Sequence, residues 1–248
     1  MTITASSRIN NKDSALSLAA GALTGGADRQ AVRDWKVNRG VLLIDLAACY
    51  RMLSWAPLNG GFARANCILN RQIHISDRAA TESPASYLAQ LARSLGRDPR
   101  RTVGMMTGAN VSRAGVASVK RGALVVGAWC TAGCSNALRA GDRATVHTSP
   151  APGTINLIVV INQGLDCGAL AEAIQISAEA RVLAVQSAGI SSVRSGLPAT
   201  GTGTDCIVVA SPESGQAHRY CGKHTQLGEL IGRAVMRSCA RALARRAN

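Results

Sequence analysis

Aromatic rings are scarce in this chain of 248 residues: one Phe, three Tyr and three Trp, together 3%. A core must therefore close through aliphatic and small side chains. The 25 glycines and frequent alanines suit layered α/β packing better than a sandwich filled by large rings. The same scarcity removes the stacking platforms on which single-stranded nucleic acids are held. Acidic residues are also few, 14 Asp and Glu against 28 Lys and Arg, for a formal net charge of +14. Such a balance ordinarily points to nucleic acid or an anionic membrane surface. Here the excess is diffuse, nearly all Arg, and forms no long basic run. Its densest feature, Arg233, Arg237, Arg241 and Arg245, has the spacing of one helical face and reads as a solvated stripe. Long apolar runs are missing too, with nothing near the roughly 20 residues that span a bilayer. Residues 15–27 look faintly like a signal h-region, but Asp13, Gly21, Gly25 and Gly26 interrupt it. The expected protein is cytoplasmic, with no membrane or nucleic-acid partner, and a homo-oligomer is left open.

Eight cysteines show no disulfide framework. Cys49, Cys130, Cys206 and Cys239 lie in apolar surroundings and read as small buried hydrophobes. The one close pair, Cys130 and Cys134, has no second pair to complete a zinc site. No metal and no required cofactor are expected.

At 47% hydrophobic residues the chain can bury a sizeable core. Residues 1–38 are polar and glycine-broken, expected as a loosely attached arm with one helix near Asp28 to Trp35. Residues 39–248 are expected to form one α/β or α+β domain with a mixed sheet flanked by helices. Strand-like runs at 41–46, 51–56 and 68–75, with a turn at 57–61, suggest an antiparallel meander. Ser83 as N-cap and Pro84 at the first position open a helix through Leu88, Leu91 and Leu95 that stops at Gly96. Residues 102–107, 123–130, 154–161 and 207–210 read as buried strands, and 169–187 and 227–245 as helices.

Polar, glycine-spaced clusters stand at the ends of these strands. They are residues 54–61 with Asn70, 131–142, 153–156, and 200–205 paired with 222–229. Singly, each is most often a turn. In their order, the strings TAG-x-SNA-x-RAGD (131–142), GTIN (153–156), TGTGTD (200–205) and GKHT-x-LGE (222–229) resemble the adenosylcobinamide amidohydrolase family, over residues 53–235. Departures are small: Cys134 and Cys221 stand where small or aliphatic residues are expected, and Glu179-Ala180-Arg181 replaces an acidic-Ala-Lys pattern. The resemblance implies a corrinoid substrate and hydrolysis of the secondary amide joining the corrin propionyl arm to aminopropanol, giving adenosylcobyric acid in cobalamin salvage. A non-catalytic corrinoid-binding protein on the same scaffold is the alternative.

The residue types fit that chemistry. A corrinoid rimmed with carboxamides needs neutral donors and acceptors, which Asn59, Asn70, Thr131, Asn136, Asn156, Thr202, Thr204 and Thr225 supply, with Glu229. Gly60 and Gly61 let backbone N–H groups approach a large ligand. Amide hydrolysis needs a base, donors for the oxyanion and an acid for the leaving amine. His224, the one histidine in a glycine-flanked polar motif, is the candidate base and acid. Asp205 would orient its imidazole, and Lys223 or backbone N–H groups would hold the oxyanion. A purely structural bond between Asp205 and His224 is the competing reading, and metal assistance through the same pair stays open. A threonine (Thr202, Thr204 or Thr225) or an activated water serves equally as nucleophile, while Cys221 reads as packing.

Overall fold

The structure is a computed structural model that describes residues 31–144 (except 75) and 153–245 (except 214 and 216). The expected signal-like segment, most of the polar arm and His147 lie outside these residues.

The first described element corrects an expectation. The sequence suggests a helix near Asp28 to Trp35, yet Val32–Asn38 is a strand, β1. Trp35 and Val37 alternate with Asp34, Lys36 and Asn38, a period of two that a helix cannot use. Arg39 (φ 46°) and Gly40 (φ 73°) both take the left-handed conformation. They form the two-residue loop that joins β1 to β2, Asn38 pairing with Val41, as a primed hairpin turn requires. β2 (Val41–Ser54) is one long strand rather than two. It pairs with β3 (Gly61–Gln72) on both sides of an irregularity between Asp45 and Tyr50. The expected meander is thus present, carried on a strand with a break in its middle.

After β3 come α1 (Arg78–Glu82) and α2 (Pro84–Ser94), the latter with Pro at its first position as expected. β4 (Thr102–Thr107), β5 (Gly115–Arg121), β6 (Leu124–Ala132) and the short β7 (Ala137–Leu138) follow. The second half holds β8 (Ile155–Ile161), the short β9 (Gly164–Leu165), α3 (Cys167–Ser187) and the short β10 (Gly201–Thr202). It closes with β11 (Cys206–Pro212), the short β12 (Ala217–His218) and α4 (Gln226–Arg245). Eight strands form one mixed sheet in the order β4-β3-β2-β11-β8-β6-β5, with β1 also on β2. β3/β4 and β8/β11 are parallel and the other pairs antiparallel.

Side-chain alternation shows how the sheet is layered. On β8, Ile155, Leu157, Val159 and Ile161 join the alanines of α3 and the apolar stripe of α4 in one core. Ile158 and Val160 point the other way, where they meet Leu42, Ile44, Ile68, Val103, Met105 and Trp129 in a second core. That second cluster unites the inner faces of both wings of the sheet, so the sheet folds back on itself near the irregularity in β2. Val41, Leu43 and Leu69, on the outer face of the first wing, pack under α2. β8 is buried at every position, which is why it reads as a continuous apolar run rather than an alternating one.

Small residues set the spacing. A Cβ on Gly115 of β5 would stand 2.0 Å from the Ser238 carbonyl oxygen of α4, so helix and strand approach closer than any side chain permits. The arginine face of α4 is also more than a solvated stripe. Arg241 donates to the Val116 carbonyl, and Arg245 donates to the Ala114 carbonyl at 2.8 Å. Arg233 pairs with Glu229 at 3.2 Å. The Arg241 and Arg245 guanidinium groups hold α4 along the terminal strand β5, while Arg233 stays on its own helix.

Candidate functional site

β6 ends, β8 and β11 begin, and β4 ends at one edge of the folded sheet, so the connections after and before them converge there. They enclose a cleft of about 580 Å3. Gly108, Ala109, Asn110 and Arg113 line it after β4, residues 132–135 after β6, Gly153 before β8, and Ile190 after α3. Two of the strings thus meet at one place. Their contact demands glycine: a Cβ on Gly153 would lie 2.1 Å from Asn136 Oδ1 and 3.1 Å from Ser135 Oγ. On the opposite wall, Asn110 Oδ1 accepts from the Ser112 amide at 2.9 Å, and Thr107 Oγ1 accepts from the Ala109 amide at 3.0 Å. Arg113 is the charged side chain of the described lining.

One residue below this floor, three expected site residues form a buried network. Asn70 of β3, Thr131 of β6 and Asn156 of β8 are each 1% exposed. Asn70 Nδ2 donates to Thr131 Oγ1 at 3.0 Å, and Asn156 Nδ2 donates to Asn70 Oδ1 at 2.9 Å and to the Met106 carbonyl at 2.8 Å. The bonds tie the two wings together at the cleft end. Asn156 Oδ1 has no donor among the described residues, a cost of about 1–3 kcal/mol for a buried polar atom.

The TGTGTD string is stitched to the start of β8. Asp205 Oδ1 accepts from the Ile155 amide at 2.9 Å and from the Thr202 hydroxyl, and Oδ2 accepts from the Thr202 amide at 2.9 Å. Arg181 Nη1 of α3 lies 3.1 Å from Oδ2, with side chains 13% and 7% exposed. Thr204 donates to the Gly153 carbonyl at 3.1 Å and stands 2.9 Å from the Thr154 hydroxyl. Gly201 must lack a Cβ, which would fall 2.1 Å from Asp205 Oδ2. Asp205 therefore fastens the wall of the cleft, with its oxygens occupied by backbone, hydroxyl and guanidinium.

The GKHT string lies elsewhere. Glu229 of α4 forms paired bonds of 2.7 and 3.0 Å with Arg121, at the far end of β5 from Gly115. The Cys221 amide is held by Glu172 at 2.6 Å, whereas Asp205 is held by Arg181, nine positions further along α3. Nine helical residues span about 13 Å. The expected Asp205–His224 hydrogen bond is not formed. His224 is exposed, and Lys223 pairs with Glu179 at 2.7 Å. Thr225 is the N-cap of α4: its Oγ1 accepts from the Gly228 amide at 3.0 Å and donates to the Gly222 carbonyl at 2.8 Å. A capping threonine followed by an acidic residue in the first turn is a helix start in its own right. Burial pushes the Cys221 thiol up to about 12, with Glu172 adding to the effect; its Sγ lies 3.4 Å from the Ala169 carbonyl oxygen, as a packing residue would.

Asn59 and Gly60 form the turn that leads into β3 at Gly61. Asn59 Nδ2 donates to the Pro99 and Thr102 carbonyls at 2.7 Å each, and a Cβ on Gly60 would meet the Ala56 oxygen at 2.5 Å. The sequence reading missed the wall built by Gly108, Asn110 and Arg113. Its signal was available, since Thr107-Gly108-Ala109-Asn110 is a polar glycine turn directly after a buried strand. Ile190 carries no comparable signal.

Comparison with known proteins agrees with the strings. The family model described as adenosylcobinamide amidohydrolase matches residues 25–248. An uncharacterised protein of Methanocaldococcus jannaschii is 33% identical over 74% of this chain and 78% of its own. Adenosylcobinamide amidohydrolases of Halobacterium salinarum and Methanosarcina mazei are each 30% identical, over 74% and 73% of this chain and 76% and 84% of theirs. With the match running across the cleft, both wings of the sheet and the helices behind them, this chain belongs to the adenosylcobinamide amidohydrolase family.

Proposed function

We propose that the protein hydrolyses adenosylcobinamide at the amide between the corrin propionyl arm and aminopropanol, releasing adenosylcobyric acid for corrinoid salvage, and that the bond is cut in the cleft at the β6/β8 end. The observation that carries the location is the meeting of the 131–142 and 153–156 strings around one cavity, with the 200–205 string bracing its wall. The lining suits the reaction. Glycine-rich turns at 108–109, 133 and 153 bring main chain to the cavity, where N–H groups can face a tetrahedral oxyanion. Ser135 and Cys134 offer a hydroxyl and a thiol at the same floor, and Arg113 offers a cation to the carboxylate product.

Incubation with adenosylcobinamide, followed by mass analysis, tests the reading. Loss of the aminopropanol unit with the primary carboxamides intact is expected. Unchanged substrate with a folded protein would overturn hydrolysis, and tight retention of that substrate would favour corrinoid binding without catalysis. Retained turnover in Ser135→Ala, Cys134→Ala and Arg113→Ala alike would move the reaction out of this cleft.

A further inference from the structure

The single Phe and one of the three Trp of this aromatic-poor chain are placed where burial gains nothing. Phe62 is 61% exposed and Trp55 51% exposed, whereas Trp129 is fully buried. Both stand at the end of the β2/β3 ladder where Ser54 pairs with Gly61. Leu53 is the cross-strand partner of Phe62 and packs toward the α3 core. Trp55 follows the last residue of β2, directly after the Ser54–Gly61 pair, and so stands at the same end of the ladder as Phe62.

Trp55 is also fixed. Its Nε1 donates to the Asp205 carbonyl at 2.6 Å, so the indole is tied to the string that braces the cleft wall while its ring remains in solvent. An exposed indole whose one polar atom is satisfied presents a rigid flat surface at little entropic cost to a ligand. Three strand spacings, β2 to β11 to β8 to β6, separate it from the floor of the cleft, about 14 Å. A corrin macrocycle with its substituents extends over that range. Adenosylcobinamide contains one planar heteroaromatic group, the adenine of its upper ligand.

We infer that Trp55, with Phe62 at the same end of the ladder, is the seat for the adenine base of the substrate and so selects adenosylated corrinoids over those with a small upper ligand. The inference rests on the proposed hydrolysis for its substrate, but the seat itself is a binding site for a flat base.

Two measurements on the full chain test it. Steady-state kinetics compare adenosylcobinamide with cyanocobinamide for wild type, Trp55→Ala, Phe62→Ala and Trp55→Phe. Removing a stacked ring weakens base binding by about ten- to a hundredfold. Trp55→Ala should raise KM for adenosylcobinamide by that factor with kcat little changed, and should leave KM for cyanocobinamide where it was. Phe62→Ala should act in the same direction, and Trp55→Phe, which keeps a ring, should recover part of the loss. Separately, 5′-deoxyadenosine should quench the emission that wild type has and Trp55→Phe lacks. Equal KM changes for both corrinoids, or no quenching of Trp55, overturns the seat. Quenching in a protein that hydrolyses neither corrinoid leaves the seat standing and removes the hydrolase reading. If Trp55→Ala changes only the sedimentation of the protein, the face is a protein contact and the inference is wrong.

Discussion

Asp205 is the residue whose role changes most between sequence and structure, and Asp205→Asn measures that change. The side chain is 7% exposed and faces Arg181, 13% exposed, at 3.1 Å. Removing its charge leaves the guanidinium without a counter-ion in a site closed to water, a loss of about 3–5 kcal/mol for a buried pair. Asparagine also replaces one acceptor oxygen with a donor, beside the Thr202 amide, the Thr202 hydroxyl and the Ile155 amide. The two effects overlap, so about 4 kcal/mol is expected. Arg181→Met should lose less, about 2 kcal/mol, because three donors still hold the carboxylate. The double variant should be more stable than the sum of the two losses by at least about 1 kcal/mol. Urea unfolding reads all three. With a slope near 3 kcal/mol/M, Asp205→Asn lowers the midpoint by more than about 1 M. A shift below about 0.3 M, or strict additivity in the double variant, would refute the bracing role and return Asp205 to the chemistry.

The far end of the sheet should be quiet. His224→Ala should change stability by less than about 0.5 kcal/mol and leave turnover of adenosylcobinamide near wild type, whereas a loss of about 100-fold or more would bring proton transfer back to that residue. Gly153→Ala drives a methyl against Asn136 and should abolish turnover while the protein still folds by circular dichroism; full activity would mean that the cleft is not the site. Burial raises the Cys67 and Cys206 thiols from 9.0 to about 12. Each is protonated in the folded chain where the unfolded chain has already ionised, so stability is complete below pH 9 and falls between pH 9 and 12. The slope is about 1.4 kcal/mol per pH unit for each thiol, and a flat urea midpoint over that window would contradict it. Iodoacetamide at pH 8 should label the exposed Cys167 and spare Cys221, and rapid labelling of Cys221 in folded protein would sink its assignment to packing.

Much of the fold could be read from residues because local rules and burial agree there. Ser83-Pro84 does open a helix, and the run from Ile155 to Ile161 is a strand buried on both faces. Legibility fails where two rules compete. The polar, glycine-broken arm suggests a helix near Asp28 to Trp35, but the period of two in Val32–Asn38 and its pairing with β2 make that segment a strand. The fold-back of the sheet depends on an irregularity at 45–50 that no single residue there announces. The candidate site shows the same limit. Asn70, Thr131 and Asn156 were chosen as polar residues near strand ends, and they do come together. Glycine-rich strings around both His224 and Asp205 suggest that they meet, but composition does not say at which end of a strand or helix a string will lie. The capping bonds of Thr225 give the pattern around His224 a structural reason of its own.

β5 ends the sheet, and a terminal strand ordinarily offers its open carbonyls and amides to any passing chain. Here Arg241 and Arg245 occupy the Val116 and Ala114 carbonyls, and Gly115 draws α4 down against the strand. The two arginines thereby cap part of that edge, and the positive face that reads as a solvated stripe in the sequence works as a seal. Shortening Arg241 and Arg245 to alanine would reopen those two carbonyls, and association that grows with concentration, strand by strand along that edge, is the expected outcome.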